Sequence, residues 1–270
     1  MSQARRSKYD IAKDLLGPLS LTEQLLLFWS KHPDDVDKTS NYELATDQWT
    51  VGSALDPFHE AFPKFEDAIR GKAVLDYGCG DGFQSVAMSQ LGAAKVLGVE
   101  IEQNRRDHAA KLAAEMRASN VSFAEKISGA FDVIVSLNAM EHFVRPEENI
   151  NEMAAALSPR GKIYLTFGPL WKAPYGHHMH FFTSAPWINL LFPEKSVFRI
   201  RRLYRDDNAT SYEPDLNGMT IARFHDLVDR AGLKVETIRY RASGNLPLIS
   251  KIPLLREYLT NIIDAVLVKA

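Results

Sequence analysis

The residues best placed to do chemistry are Asp76, Gly78, Gly80, Gly82 and, twenty positions after Gly80, Glu100. Val74–Gly82 reads Val-Leu-Asp-Tyr-Gly-Cys-Gly-Asp-Gly, an apolar strand running into a glycine-rich turn. Glycine lets a backbone approach a ligand closely and adopt turn conformations closed to other residues. Strand, glycine turn and helix in succession form a nucleotide-type cofactor site. Two details separate this turn from a dinucleotide site. The third glycine of G-x-G-x-x-G would fall on Phe83, and Asp76 sets a carboxylate at the strand end, where it repels a pyrophosphate and attracts an ammonium. Glu100 closes the next strand, where an acidic side chain accepts hydrogen bonds from both ribose hydroxyls. An ordinary tight turn at Gly78 and Gly80 is the bland alternative. Cys79, the only cysteine, reads as a small filler of that turn rather than a nucleophile.

A second group lies far downstream. Three of the eight histidines, His177, His178 and His180, fall within four residues, beside Tyr175, Phe181 and Phe182. Histidine supplies a base near neutral pH, and on an extended segment His178 and His180 would share one face. The cluster reads as a general base or acceptor-positioning group, as a structural pair packed among aromatics, or as a divalent-metal site. No spaced carboxylate favours the last, so no metal is expected. Between the two groups, Asn138 should lie at the carboxyl end of a strand, the ligand end of an open α/β sheet. Glu141-His142 then reads as a helix-start hydrogen-bond network or as a direct catalytic part for His142. Trp171, Tyr175 and Trp187 would wall a sugar or aromatic ring, or simply cap the sheet edge. Four arginines from Arg199 to Arg205 would suit a phosphate-bearing acceptor, although a solvated face answered by Asp206 and Asp207 is the simpler reading.

The elements that must position these residues follow from the apolar pattern. From Lys72 onward, short β-branched runs at 73–77, 95–100, 121–124, 131–137 and 162–167 alternate with helical stretches at 83–91, 104–119 and 147–157. That alternation predicts a parallel sheet with helices on both faces. Thr220–Ala231 has helical apolar spacing stopped by Gly232, Lys234–Tyr240 alternates as a strand, and Ala265–Lys269 forms a short terminal one. The expected organisation is a helical N-terminal cap over residues 1–71, a cofactor core over 72–169, a substrate-side insert or lid over 170–218, and a closing helix with the last strands over 219–270. The insert is too long for a plain connection inside a compact domain. Leu246–Leu259, apolar with interspersed charge, would be a lid helix, a contact between copies in a homodimer, or a membrane-surface helix; packing or a dimer contact is favoured.

Composition narrows the partners. The 270 residues, 46% hydrophobic, suffice for a sizeable core. Thirty-two basic against 34 acidic residues leave a formal charge of −2, which disfavours a nucleic-acid partner. One cysteine excludes an internal disulfide framework. No apolar run approaches the ~20 residues of a membrane helix, and the polar start MSQARRSKYD lacks the apolar centre of a signal peptide. The expectation is a soluble, cytoplasmic protein acting on a small molecule.

A cofactor with an ammonium, a sulfonium and a ribose but no phosphate fits the acidic pair, and S-adenosylmethionine is such a molecule. On VLDYGCGDG, LGVE, FDVIVSLNAMEHF and ALSPRGKIYLTF the chain resembles a class I S-adenosylmethionine-dependent methyltransferase of small-molecule type, closely over Lys72–Phe167 and more loosely beyond. The resemblance implies an α/β, doubly wound, seven-stranded, mostly parallel sheet whose last strand, at AVLVKA, is antiparallel. It implies Asp76, with Gly78 and Gly80, near the methionine end, Glu100 on the ribose, Ile101 against the adenine and Asn138 near the transferring methyl. Glu125 is a loose candidate for the adenine amino group. The acceptor would be an oxygen ahead of nitrogen or carbon, a sugar or secondary-metabolite hydroxyl first, with His178, His180, His177 and His142 as catalytic candidates. Two other readings compete: a dinucleotide oxidoreductase, opposed by Asp76 and Phe83, and a regulatory protein that binds the cofactor without turnover.

Overall fold

Continuous apolar runs such as Val133–Val135 suit strands covered on both sides, and period-two alternation sends their side chains to opposite faces. In the computed structural model, which describes residues 5–38, 50–242 and 252–270, that is how the sheet is filled. Leu75, Tyr77, Leu97, Val99 and Ile134 pack on one face, and Val74, Val96, Val133 and Val135 on the other. The strands are β1 (Ala73–Tyr77), β2 (Lys95–Val99), β3 (Val121–Ala124), β4 (Phe131–Leu137), β5 (Leu157–Phe167), β6 (Leu233–Ala242) and β7 (Thr260–Lys269). They form one sheet in the order β3-β2-β1-β4-β5-β7-β6. Strands β1 to β5 run parallel, and β7 lies antiparallel between β5 and β6. The chain leaves β1 towards β2 on one side and returns to β4 on the other, so the carboxyl ends of β1 and β4 flank a topological switch point.

Helices α1 (Lys8–Leu16) and α2 (Leu21–Phe28) precede the sheet. The apolar-rich stretch Leu15–Trp29 is divided because Gly17 and Pro18 end α1, and Ser20 with Glu23 caps α2 in a reciprocal box. Short helices α3 (Asp56–Ala61) and α4 (Phe65–Ile69) pack on the sheet through Phe58, Phe62 and Phe65. Within the core, α5 (Phe83–Gln90) follows β1, α6 (Gln103–Glu115) follows β2, and α7 (Pro146–Ala156) precedes β5. The insert carries α8 (Ile188–Leu191) and α9 (Glu194–Arg201), and α10 (Ile221–Arg230) leads into β6. A separate apolar cluster joins Ala12, Leu26 and Leu27 of the first two helices to Phe182, Phe198 and Tyr204 of the insert. Residues 8–28 and the insert therefore share one core beside the sheet, whereas residues 54–69 belong to the sheet's own face.

Two strands are longer than their apolar patterns. β5 begins at Leu157, paired with Phe131 across an irregularity before Val133. β7 extends back to Thr260 through polar positions, and its buried Asp264 is neutralised by Arg239 and Arg241 while accepting a 2.6 Å hydrogen bond from Thr166 Oγ. A charge inside an apolar strand is tolerated when it is paired in this way. Of the tail segment Leu246–Leu259, residues 246–251 lie outside the described residues, and the remainder forms α11 (Pro253–Leu259).

Candidate functional site

β1 delivers Asp76 and the glycine turn to the switch point. Gly78 sits at φ +79°, and a Cβ there would stand 2.9 Å from Ala139 Cβ, so the turn lies directly against the loop after β4. Gly82, at φ +83°, would place a Cβ 2.7 Å from Ala109 on α6, and its absence lets α5 start close to that helix. Asp76 is buried and accepts a 2.6 Å hydrogen bond from Ser85 Oγ. Burial first, and then the nearby Glu100 charge, raise its carboxyl to about 7. Glu100 Oε2 accepts from Gly80 N–H at 3.1 Å and its Oε1 accepts from Glu102 N–H at 3.0 Å. Two backbone donors thus hold the carboxylate at the mouth of the turn, with lone pairs left on both oxygens. Ile101, the next residue, is 76% exposed and offers an apolar surface beside it. The Cys79 thiol is buried, and burial together with Asp76 and Glu100 pushes its pKa up, which excludes a resident thiolate nucleophile.

The turn therefore presents backbone donors among two carboxyls that repel each other. A cationic ligand relieves that repulsion and a phosphate aggravates it, so these residues fit a sulfonium amino acid bearing a ribose and not a dinucleotide. His108, 3.2 Å from Asp81, and Arg106, which donates to the Glu100 carbonyl at 2.6 Å, brace the same loop from α6.

Across the switch point, Asn138 ends β4 at φ +49° with its N–H donating to the Thr166 carbonyl at 2.8 Å and its side chain exposed. The turn that follows carries Glu141 and His142. His142 Nδ1 lies 2.6 Å from the Asp215 carbonyl, which can only accept, so Nδ1 donates there and Nε2 is the nitrogen that carries the lone pair whenever the ring is neutral. His178 packs edge-to-face on His142, with ring centroids 5.4 Å apart. Its Nε2 faces the Pro169 carbonyl at 3.4 Å, and burial with the neighbouring His142 lowers its pKa to about 4.

The histidine segment is folded, not extended. His178 lies at φ +54°, so the expected shared face of His178 and His180 does not form. The ring that meets His178 is His142, whereas His180 packs on Tyr175 with centroids 4.3 Å apart. His177 is fully buried with both ring nitrogens engaged: Nδ1 accepts from Met179 N–H at 2.9 Å and Nε2 donates to the Ala185 carbonyl at 3.1 Å. Burial lowers its pKa to about 4, and its work is to hold the turn. Trp171 and Trp187 are likewise tied into the insert, Trp171 edge-to-face on Tyr212 and Trp187 Nε1 on the Lys172 carbonyl at 3.1 Å.

Glu141, expected in a helix-start hydrogen-bond network, is buried; its Oε1 accepts from Gly168 N–H at 3.1 Å, and its Oε2 has no partner among the described residues. Burial raises its carboxyl to about 7. Asn217 donates to the Met140 and Phe143 carbonyls at 2.8 and 2.9 Å and locks the insert to the β4 loop. Lys31 donates to the His180 and Phe181 carbonyls, both at 3.1 Å, from 149 and 150 residues away. Asn217 and Lys31 were hidden from sequence reasoning, where only the Asn-Gly pair at 217–218, a turn signal, was there to be noticed. A cleft of about 460 Å³ between α6 and β3, lined by four alanines with Arg117, Val121, Phe123 and two serines, carries no comparable chemistry.

A sheet of this order with an acidic switch point is the arrangement of class I S-adenosylmethionine-dependent methyltransferases. Residues 48–192 match a family model described as a methyltransferase domain, and the chain belongs to that family. Its methyl donor is S-adenosylmethionine. The chain is similar to a ubiquinone biosynthesis O-methyltransferase from Coxiella burnetii, 31% identical over 166 residues, which is 56% of this chain and 68% of that protein. It is similar also to the protein of the same name from Idiomarina loihiensis, at 30% over 148 residues, covering 50% of this chain and 60% of the relative. Among solved structures, an S-adenosylmethionine-dependent methyltransferase from Mesorhizobium loti superposes with a TM-score of 0.53 at 16% identity, covering 80% of this chain and 99% of the other. The cyclase SpnF superposes with a TM-score of 0.54 at 14% identity, covering 82% and 83%. A cyclase on this fold is a reminder that architecture alone does not choose the reaction.

Proposed function

We propose that the protein transfers the methyl group of S-adenosylmethionine to an oxygen of a small molecule, with His142 as the base and His178 as its positioning partner. The observation that carries this reading is the His142 imidazole, fixed by the Asp215 carbonyl so that a free Nε2 lone pair stands on the loop that touches the glycine turn. Asp76, Gly78, Gly80, Glu100, Ile101 and Asn138 would hold the cofactor, the carboxyls taking its cationic end and ribose and Ile101 lying against the adenine. Bound there, the cofactor supplies a methyl on a sulfonium, a leaving group already activated. What remains for the chain is to seat the acceptor in line, exclude water and take up one proton.

His178, with its pKa near 4, stays neutral at pH 7 and is too weakly basic to keep a proton, so it orients the His142 ring. His177 and His180 shape the turn on which His178 sits. The relatives' name supports oxygen as the acceptor atom. The near-neutral charge supports an enzyme without a nucleic-acid partner, and exposed Leu255 and Tyr258 on α11 are residues a second copy would cover.

Labelled S-adenosylmethionine, offered with catechols, phenols and simple sugars, is expected to label a hydroxyl group. His142→Ala should lower kcat by roughly tenfold or more while S-adenosylhomocysteine affinity stays within about twofold. Full turnover in both His142→Ala and His178→Ala would place the base elsewhere.

A further inference from the structure

The four arginines of the insert are not equivalent. Arg199 donates to both oxygens of Glu23, at 2.9 and 2.7 Å, and joins α9 to α2. Arg201 is buried and takes Asp207 in a two-point pair. Arg202 is exposed. Arg205 is half-buried with its guanidinium carbon 4.0 Å from the centre of the Phe181 ring. Among the described residues its guanidinium makes no hydrogen bond or ion pair: Asp207 is taken by Arg201, and Asp207 and Asp215 act on it through their charge alone.

A cation stacked on an aromatic ring is stabilised through its face alone. The five N–H donors lie in the guanidinium plane and point away from the ring, so stacking leaves them unanswered. Half-burying such a group beside a second arginine is costly without a partner for that edge. The stacking that covers one face also holds the plane rigid, which is the preorganisation that two-point recognition of a planar anion uses.

Arg205 is linked to the histidines through its neighbours. Phe181, whose ring lies under it, gives its carbonyl, with that of His180, to Lys31. Asp215, whose charge reaches Arg205, holds His142 through its carbonyl, and His142 packs on His178. From this placement we infer that Arg205 is an anion-recognising residue of the acceptor site, and that the acceptor carries a carboxylate or phosphate in addition to its methylated hydroxyl. This inference rests on the acceptor being bound beside His142, and it narrows the substrate class to anionic molecules.

The test uses benzoate, its neutral analogue benzamide and inorganic phosphate as probes of the full chain, with S-adenosylhomocysteine titrated separately. In a side-chain NMR spectrum of the wild-type protein, with the Arg205 Nε–Hε resonance assigned by its loss in Arg205→Lys, benzoate or phosphate should shift that resonance and benzamide should not. By calorimetry the anion that binds should lose at least tenfold in affinity in Arg205→Gln, while S-adenosylhomocysteine affinity is unchanged. A resonance unmoved by both anions, or equal anion affinity in wild type and Arg205→Gln, overturns the inference. The NMR arm needs only the wild-type fold and decides even if the glutamine variant unfolds. Loss of S-adenosylhomocysteine binding in the wild type would instead overturn the methyltransfer reading and leave the anion site standing.

Discussion

Asp76 shows how one side chain serves binding at the expense of stability. A carboxyl whose pKa rises on folding binds more protons in the folded than in the unfolded chain between its two pKa values. Its stability contribution is fully present below the unfolded value, near 4, and is lost as pH rises through about 7. In the absence of cofactor, Asp76→Asn should therefore stabilise the protein at pH 8 by roughly 2–4 kcal/mol and leave it unchanged near pH 4. Urea unfolding at both pH values checks this, and comparing variant with parent at each pH cancels the opposite contributions of His177 and His178. The same substitution should weaken S-adenosylhomocysteine binding, since the ionised carboxylate is what a cationic ligand meets. Asp76, Gly78, Gly80 and Glu100 were legible because their meaning depends on local spacing at strand ends. The roles of the histidines were not: a left-handed His178 reverses the alternation, and the His142 partner is a backbone carbonyl 73 residues away.

Among the elements, strands bounded by turn residues were readable to within a residue at β1, β3 and β4, because both sheet faces demand apolar side chains there. Elements held by distant polar pairs were not. Glu23 interrupts the apolar run of α2, yet it is 4% exposed, caps Ser20 N–H at 2.7 Å and receives Arg199 from 176 residues away. These bonds hold its carboxyl below the usual range despite burial. Removing one partner of a buried pair strands the other, so Glu23→Ala should cost about 3 kcal/mol in urea unfolding at neutral pH. Because α2 and α9 form one cluster, the loss should also loosen the insert. Protease cleavage within residues 170–218 should then be faster in the variant than in the parent.

At the scale of the whole molecule, the sheet supplies the switch point, and beside it the N-terminal helices pack with the insert through the cluster that includes Leu26, Leu27, Phe182 and Tyr204. That arrangement was invisible to a reading by contiguous segments, since no local pattern says that residues 8–28 pack on residues 179–216. Two polar seams, Lys31 to Phe181 and Asn217 to Phe143, join distant segments to the stretches that carry the histidines. Whether the acidic glycine turn receives S-adenosylmethionine is tested most directly by calorimetry with S-adenosylhomocysteine, on the wild type and on Glu100→Ala. Binding to the wild type is expected, with a loss of about fivefold or more in the variant, the scale of hydrogen bonds to a charged group. No binding to the wild type, or equal affinity in Glu100→Ala, would contradict it.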